Sequence, residues 1–498
     1  MTGPKKDTNS KKEYFSSRWM LLASVLGMAI GTGNIWRFPR ILAQNGGGAF
    51  LIPFSIFLFI WSIPLIMVEF SMGSKSRKGV IGSFIYFGGK KTAWMGAFVA
   101  FCTIAITFYY SVVTGWCIKY FIVSTIGGFR GLDTTAVSES FSQLTSSWQS
   151  VGFQFLALMT GCIIIYRGIV HGIEKVNRIL VPSLFVILVI GAVRVITLPG
   201  GVLGLNFLFN PDFTSLKDYN VWLEALSQSA WSTGAGWGLV LTYSVYLKKR
   251  EDIILNSMIT GFGNNSASLL AGIVIFGTVF ALSPSADIAS SLVQTSGKAS
   301  TGLTFEYLPS LFNSMPGGVV MGPLFFLALT FAAFSSLISQ IELGVRNLMD
   351  FGCTRKRAVI FLGVIAFVLG LPSALALGFF ENQDWVWGLG LIVSGFFFSI
   401  VAIKYGVDKI RRNLLNKKTS ISTGKWFTIV VSVLIPLQFI VLISWWFAKS
   451  ISWDEYWWNP LHKYTIATVV AQGGAVLIVF LFLNKKMVKA IERFNDDS

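Results

Sequence analysis

The sequence predicts an all-α integral membrane protein with twelve transmembrane helices, and three observations support this fold class. The chain of 498 residues is 53% hydrophobic and only 13% charged, whereas a soluble domain carries about 25% charged residues. Its apolar runs reach the roughly 20 residues that a helix needs to cross a bilayer. Its Lys and Arg residues gather at the ends of those runs, so the net charge of +17 indicates contact with lipid headgroups rather than with nucleic acid.

The twelve predicted spans are separated by polar or basic connections. They cover residues 18–41, 49–74, 94–126, 150–167, 173–198, 220–247, 252–282, 317–350, 357–378, 384–408, 425–448 and 464–484. Basic residues concentrate in every second connection, for example at 75–78, 248–250 and 355–357. The positive-inside rule therefore predicts that both termini are cytoplasmic, with residues 1–17 forming an N-terminal tail. We expect a multi-pass protein of the inner (plasma) membrane.

Two long connections are predicted to lie on the external side. Residues 127–149 are rich in Ser and Thr, whereas residues 283–316 contain a stretch at 303–312 that predicts a short helix. The second connection is either a lid over an external vestibule or a plain loop. The chain has only two histidines and no GxxxxGK[ST] nucleotide loop, which argues against a His-based metal site, a membrane enzyme and an ATP-driven pump.

Spans one and six each contain a cluster of three glycines, which needs an explanation because each Gly costs about 1 kcal/mol in a helix interior relative to Ala. The clusters lie in SVLGMAIGTGNIWRFPRI and SQSAWSTGAGWGLVLTY, at glycines 27, 31, 33 and 234, 236, 238. Close helix packing would explain one cluster alone. Clusters at corresponding positions of two halves are typical of broken helices that line a substrate site at the membrane midplane.

The separation of the two breaks by five spans predicts two inverted five-helix repeats with two helices appended. The first repeat would cover residues 18–198, the second 199–412, and the appended spans with a C-terminal tail 413–498. Broken helices expose carbonyl groups at one half-helix end and N–H groups at the other. Such ends can hold Na⁺ and a carboxylate without any ionised side chain.

Three motifs in the first two spans carry a resemblance to a known family. GNIWRFP, NGGGAFLIPF and IPLIMVEFSMG resemble the first two helices of neurotransmitter:sodium symporters, and QSAWSTGAGWG followed by LTYSVY resembles their sixth helix. The resemblance extends from about Arg18 to Asp384. It implies a secondary active symporter that works by alternating access. No enzymatic activity or obligatory protein partner is expected.

The resemblance implies two sodium sites built from oxygen ligands, which suit Na⁺ and not a transition metal. The ligands of the first site correspond to the Ala29 carbonyl and to the side chains of Asn34, Ser232 and Asn264. The ligands of the second site correspond to the carbonyls of Gly27, Ile30 and Ala332 and to the hydroxyls of Ser335 and Ser336.

The resemblance also implies a substrate pocket. Its positions correspond to Met28, Ala29, Gly31, Thr32, Gly33, Ile106, Tyr110, Trp231, Ser232, Gly234, Trp237, Ser336 and Gln340. Gly31 stands where monoamine carriers of the family have aspartate, and no acidic or basic residue occupies these positions, so a charged substrate side chain would be buried unpaired. The expected substrate is a neutral amino acid; a betaine-like osmolyte symporter and a nutrient sensor of the same fold are the alternatives.

Two gates follow from the same resemblance. Arg37 and Asp384 correspond to an external ion pair, and Asp384 is the expected first residue of span ten. Below this pair, Tyr110 and Trp231 would form an inner lid. Lys12, Tyr246 and Asp350 correspond to a network that closes the cytoplasmic side. Glu69 and Glu342 are carboxyl groups inside the membrane and are therefore functional candidates.

Chloride dependence is left open by the sequence. Two sodium ions and a zwitterion would leave a buried net charge of +2, which some family members offset with chloride. The positions that match the anion site are Gln228, Ser232, Asn264 and Ser268. Phe54 stands where a tyrosine hydroxyl is expected, so the site would lack one hydrogen-bond donor.

Overall fold

The computed structural model describes residues 13–248, 251–295, 297, 301–417, 419, 421–453 and 455–496. Within those ranges the helices account for all twelve predicted spans, which we number in chain order. Their bounds are Arg18–Ala29 with Thr32–Gln44, Gly48–Ser76, Lys90–Thr125, Trp148–Tyr166, Ile169–Ile196, Tyr219–Ser232 with Leu239–Ser244, Ile253–Leu282, Gly318–Asp350, Arg355–Leu375, Leu377–Tyr405, Lys425–Ser452 and Ile466–Phe494.

Spans 1 and 6 are the interrupted spans, as the glycine clusters predict. The two halves of span 1 meet at an angle of 64° across Ile30 and Gly31. In span 6 the non-helical residues 233–238 separate the two halves. The ten other spans are each long enough and apolar enough to cross a bilayer.

The connection between spans 9 and 10 is shorter than the sequence predicts. Span 10 was expected to begin at residue 384, but its helix begins at Leu377, directly after the single extended residue Ala376. Pro372 lies four residues before that bend and cannot donate a helical hydrogen bond. Asp384 therefore lies about two turns inside span 10 rather than at its first residue.

The first external connection contains a helix that the sequence analysis missed. Thr134–Thr145 is helical, and Asp133 caps its first turn by accepting a hydrogen bond of 2.8 Å from the Ala136 N–H. The segment looked like a loop because its Ser and Thr residues have low helix propensity. Phe141 on this helix is fully buried, so the connection is part of the packed structure.

The second external connection is also helical. The predicted short helix is confirmed as Leu303–Tyr307 followed by Leu308–Ser314, and a further helix covers Ala286–Gln294. Phe305 stacks on Phe141 of the first connection, with ring centroids 5.4 Å apart. This aromatic contact joins the two external connections into one cap.

Spans 3 and 10 form the centre of the molecule, and span 12 lies at its edge. In the most apolar window of each span, 78% of the residues are buried for spans 3 and 10, but only 6% for span 12. The broken spans 1 and 6 therefore pack into a core that the appended span 12 does not enclose.

Candidate functional site

The break in span 1 leaves backbone groups at the middle of the molecule. The first half-helix ends at Ala29, and Gly31 is fully extended (φ −102°, ψ −176°) before the helix resumes at Thr32. The Gly31 N–H donates to Asn34 Oδ1 at 3.0 Å, which closes the start of the second half-helix. The carbonyl end of one half-helix and the N–H end of the other therefore lie side by side.

The break in span 6 depends on three glycines and one carboxyl group. Gly234, Gly236 and Gly238 have φ values of +67°, +86° and +80°, a left-handed conformation that a side chain would strain. The two carboxyl oxygens of Glu69 on span 2 accept hydrogen bonds from the backbone N–H groups of Gly236 (2.6 Å) and Leu241 (3.0 Å). Glu69 thus satisfies donors that the missing helical turn leaves without partners.

The two breaks line one cavity of about 440 Å³. All thirteen predicted substrate positions contact it: Met28, Ala29, Gly31, Thr32, Gly33, Ile106, Tyr110, Trp231, Ser232, Gly234, Trp237, Ser336 and Gln340. The same cavity continues outward past Arg37 and Asp384 to Tyr464.

Tyr110 and Gly31 define the polar end of the cavity. The Tyr110 hydroxyl accepts a hydrogen bond from the Thr32 N–H at 3.2 Å, so its own proton is available to an acceptor in the cavity. A Cβ atom added to Gly31 would lie 3.1 Å from that hydroxyl and 3.0 Å from Ser336 Oγ. The absence of a side chain at Gly31 therefore leaves both hydroxyls accessible.

The opposite end of the cavity is apolar except for one amide. Trp231 and Trp237 pack edge to face with ring centroids 5.9 Å apart. Gln340 is almost completely buried, and its Oε1 atom has no hydrogen-bond partner among the described residues. This arrangement provides an apolar wall with a single polar group.

Span 10 contributes residues that the sequence analysis missed. Gly388, Leu389 and Ile392 line the cavity. A Cβ atom at Gly388 would lie 2.2 Å from Trp231 Cζ2, so this glycine makes room for the indole ring. The stretch WGLGL, at residues 387–391, shows that span 10 has small residues at this level. It does not show that Gly388 faces Trp231, because that contact joins distant parts of the chain.

The structure brings the first set of predicted sodium ligands together. Asn34 Nδ2 lies 3.2 Å from Ser232 Oγ and 2.8 Å from Asn264 Oδ1. The terminal amide atom of Asn264 that meets Asn34 also lies 3.1 Å from the Ala29 carbonyl oxygen and 2.9 Å from the Ser232 carbonyl oxygen. An amide nitrogen at that position donates to both carbonyls, whereas an oxygen there would bring three acceptors together, an arrangement that a cation would satisfy.

The second set of predicted sodium ligands also comes together, between spans 1 and 8. A Cβ atom on Gly27 would lie 3.1 Å from Ser335 Cβ, and Ser336 Oγ donates to the Met28 carbonyl at 3.3 Å. Ser335 Oγ donates to the Ala332 carbonyl at 3.0 Å. Ile30, at the break itself, is fully buried. Among the described residues no group of three His, Cys, Asp or Glu side chains could hold a metal ion.

The predicted chloride positions are adjacent but differently partnered. Ser268 Oγ accepts from Asn34 Nδ2 at 2.8 Å. Gln228 Oε1 accepts from Arg37 Nε at 3.1 Å, while Gln228 Nε2 is buried without an acceptor. Phe54 is buried and packs against Phe38, with ring centroids 5.1 Å apart.

Arg37 and Asp384, the pair predicted to form the external gate, both line the cavity without contacting each other. The Arg37 guanidinium lies over the Trp231 ring at 4.5 Å. No ion pair within 4 Å joins Arg37 to Asp384, although both line the cavity. Burial raises the pKa of the Tyr464 phenol above its usual range, and the nearby Glu381 and Asp384 charges act in the same direction. Tyr464 is therefore a neutral group at the cavity mouth.

Tyr246 and Asp350, two of the residues predicted to close the cytoplasmic side, each contact charged residues. Glu342 Oε2 lies 2.7 Å from Arg355 Nη1, and the Tyr246 hydroxyl donates to Glu342 Oε1 at 2.6 Å. Asp350 pairs with Arg346 at 2.8 Å. The predicted partner of Asp350, Lys12, lies outside the described residues. Neither arginine was predicted. The Arg355 pair depends on how spans 8 and 9 pack, whereas Arg346 and Asp350 lie four residues apart on span 8, a spacing that the sequence alone displays.

Known proteins share both the sequence and this architecture. Residues 12–129 and 134–489 match the sodium:neurotransmitter symporter family. An uncharacterized sodium-dependent transporter of Methanocaldococcus jannaschii is 32% identical over 449 residues, which cover 86% of this chain and 89% of that protein. The sodium-dependent serotonin transporter of Drosophila melanogaster is 27% identical, over 96% of this chain and 83% of that protein.

A solved structure shares the fold as well. The crystal structure of MhsT in complex with L-phenylalanine matches with a TM-score of 0.75 and 28% identity, over 87% of this chain and 99% of that chain. The predicted fold class, twelve spans in an inverted repeat with broken spans 1 and 6, is confirmed.

Two interrupted helices around a central cavity define a multi-pass membrane transporter, not an enzyme. The chain belongs to the sodium:neurotransmitter symporter family, and it is a sodium-dependent transporter. The family resemblance seen in the motifs of spans 1, 2 and 6 is thereby confirmed.

Proposed function

We propose that this protein is a sodium-coupled symporter that imports a neutral amino acid by alternating access, with two sodium ions per cycle. One observation carries the proposal: thirteen residues from spans 1, 3, 6 and 8 line a cavity between two broken helices, and none of them is acidic or basic. A zwitterion can be neutralised there by backbone dipoles, whereas a charged side chain would remain unpaired.

The polar end of the cavity suits a carboxylate. The Tyr110 hydroxyl has a proton to donate, and the second half of span 1 directs its N-terminal end toward the same region. The first sodium ion, held near Ala29, Asn34 and Asn264, would complete its shell with a carboxylate oxygen. In the solved relative, MhsT, the bound molecule is L-phenylalanine, which supports an amino acid as substrate.

The distribution of charge supports an inner (plasma) membrane location with cytoplasmic termini. The basic residues at 75–78, 355–357 and 485–489 all fall at the same predicted side, where anionic lipids attract them. The closed network of Glu342 and Arg355 lies on this side, and the open cavity mouth at Tyr464 lies on the other. The structure thus suits the outward-facing step of an importer.

The decisive experiment is uptake into proteoliposomes. Uptake by the purified protein would be measured for each of the twenty amino acids and for glycine betaine, with and without an inward sodium gradient. Sodium-driven uptake of neutral amino acids is the expected result. Uptake of betaine alone would indicate an osmolyte symporter, and binding without any sodium-driven flux would indicate a sensor.

The second sodium site has its own test. Replacing Ser335 and Ser336 by alanine removes two of its five proposed oxygen ligands, so the sodium concentration needed for half-maximal uptake should rise about tenfold or more. The measurement is uptake at graded sodium concentrations and saturating substrate. Unchanged sodium dependence would remove these serines from the site.

A further inference from the structure

Asn177, on span 5, has a side chain that the proposed mechanism has not yet used. It is fully buried, and neither its Oδ1 nor its Nδ2 atom has a hydrogen-bond partner among the described residues. Buried amides are nearly always hydrogen-bonded, and an exception calls for a water molecule or an ion at that place. The sequence analysis did not single out this residue.

The Asn177 amide lies beside the second proposed sodium site. A Cβ atom built on Gly27 would lie 3.3 Å from Asn177 Oδ1 and 3.1 Å from Ser335 Cβ. Gly27 and Ser335 both contribute proposed ligands to that site. Because Gly27 has no side chain, the Asn177 amide and a Val181 methyl group, 2.8 Å from the same Cβ position, both pack against the span 1 backbone there.

Ser24 adds a second polar group in the same region. Its hydroxyl is fully buried and has no hydrogen-bond partner among the described residues. Ser24 precedes Gly27 by three residues in the same half-helix, so the two share a helix face. Both Ser24 and Asn177 lie between the proposed site and the basic ends of their helices, at Arg18 and Lys175.

We propose that Asn177 and Ser24 form a release station, a second place where Na⁺ and its hydration water are held as the ion leaves the second sodium site toward the basic side of the membrane. Na⁺ is a hard cation that prefers oxygen ligands, and the Asn177 carbonyl and the Ser24 hydroxyl both supply oxygen. The inference rests on the proposed symport function.

Two transport modes separate sodium release from the other steps. Net uptake requires Na⁺ to leave the protein in every cycle. Exchange of labelled for unlabelled substrate, at saturating sodium on both sides of the membrane, does not require Na⁺ to leave the protein. Asn177→Leu removes the amide at nearly constant volume, so it should lower net uptake about tenfold and leave exchange within about twofold of wild type.

The ratio of net uptake to exchange is measured within each preparation, so it does not depend on how much protein folds. Asn177→Ala serves as a second variant, and Ser24→Ala should lower the ratio in the same direction. Thr278→Val is the matched control, because Thr278 on span 7 is equally buried and its hydroxyl also has no partner among the described residues. Its ratio should equal that of wild type.

An unchanged ratio of net uptake to exchange in both Asn177 variants would overturn the release station. A fall of both rates by the same factor counts as an unchanged ratio. Wild-type protein that shows no sodium-driven flux would overturn the proposed function and the station with it. The two failures are therefore distinguished by the wild-type measurement.

Discussion

Gly31 and Gly33 lie two residues apart in span 1, but the space beside them differs. A Cβ atom on Gly31 would lie 3.1 Å from the Tyr110 hydroxyl and 3.0 Å from Ser336 Oγ, whereas one on Gly33 meets nothing within 4 Å. We expect Gly31→Ala to raise the KM for substrate about tenfold or more, because it displaces a group that binds the carboxylate. Concentration-dependent uptake into proteoliposomes measures this change.

Two further variants complete that prediction. Gly33→Ala is the comparison variant: its added methyl group meets no protein atom within 4 Å, so it should raise the KM less than Gly31→Ala does, although Gly33 also lines the cavity. Gly31→Asp should abolish amino-acid uptake, because it places a carboxylate beside that of the substrate, and two like charges buried side by side repel each other. Wild-type uptake by the aspartate variant would show that the carboxylate binds elsewhere.

Gln340 leads to a prediction about selectivity. Gln340 lines the cavity, and its buried amide oxygen has no hydrogen-bond partner among the described residues. A substrate side chain that forms a hydrogen bond should therefore be favoured over an apolar side chain of the same shape. We expect threonine to compete better than valine, and asparagine better than leucine. In Gln340→Leu, both preferences should fall about tenfold.

Competition against a single labelled substrate gives these ratios directly, without regard to the amount of active protein. Ile106→Val, which alters the same cavity without a polar group, should keep the wild-type ratios. Identical ratios in Gln340→Leu and wild type would show that the amide does not contact the substrate.

At the scale of the helix, the non-helical part of span 6 depends on Glu69. Its two oxygens accept from the Gly236 and Leu241 N–H groups, and a glutamine would present an NH₂ group to one of these donors. Glu69→Gln should therefore destabilise the protein by about 1–3 kcal/mol. The melting temperature in detergent and sodium-driven uptake should both fall. Ser71→Ala, on the same helix, removes a buried hydroxyl without a partner among the described residues and should change neither.

Local sequence rules were sufficient for the helices that apolar runs or glycines define. The breaks at 30–31 and 233–238 coincide with glycine clusters at corresponding positions of two halves, a pattern typical of interrupted helices. The helix Thr134–Thr145 was missed because its stability comes from buried Phe141 and from capping by Asp133, not from an apolar run. Asp384 was placed at the start of span 10 because the one-residue bend at Ala376 has no turn motif.

The site divides in the same way. Positions within motifs, such as Trp231 and Ser232, line the cavity as the sequence predicts, because each motif sets its own backbone. Gly388, which makes room for Trp231, and Arg355, which pairs with Glu342, were missed. Both contacts join spans that are distant in the sequence, so only the packing of the whole bundle reveals them.

At the scale of the whole molecule, the two ends of the cavity differ, and this difference suits the outward-facing step of the proposed transport cycle. In the proposed cycle, Glu342, Arg355 and the Tyr246 hydroxyl would seal the cytoplasmic side, while Arg37 and Asp384 line the cavity without pairing. Closure of the outer gate requires these two charges to approach, and substrate beneath Trp231 would favour that approach by removing water from the cavity.

The charge balance of the loaded molecule leads to the last prediction, which concerns chloride. The two sodium ions and the zwitterion of the proposed cycle would add a net charge of +2 to a site whose proposed ligands are all neutral, and an uncompensated buried charge is unfavourable. Arg37 can only donate hydrogen bonds, so Gln228 must present its oxygen to Arg37 and its NH₂ group away from it. That NH₂ group is buried without an acceptor, which favours a bound anion.

We therefore expect sodium-driven uptake to fall severalfold when chloride is replaced by gluconate, measured at a constant sodium gradient. Phe54→Tyr should lower the chloride concentration needed for half-maximal uptake, since it supplies the donor that the site lacks. Ser268→Glu should make uptake independent of chloride, because a fixed carboxylate replaces the anion's charge. Wild-type uptake that does not change when gluconate replaces chloride would contradict the chloride site. The Gln228 NH₂ group would then be buried without an acceptor in the loaded protein as well.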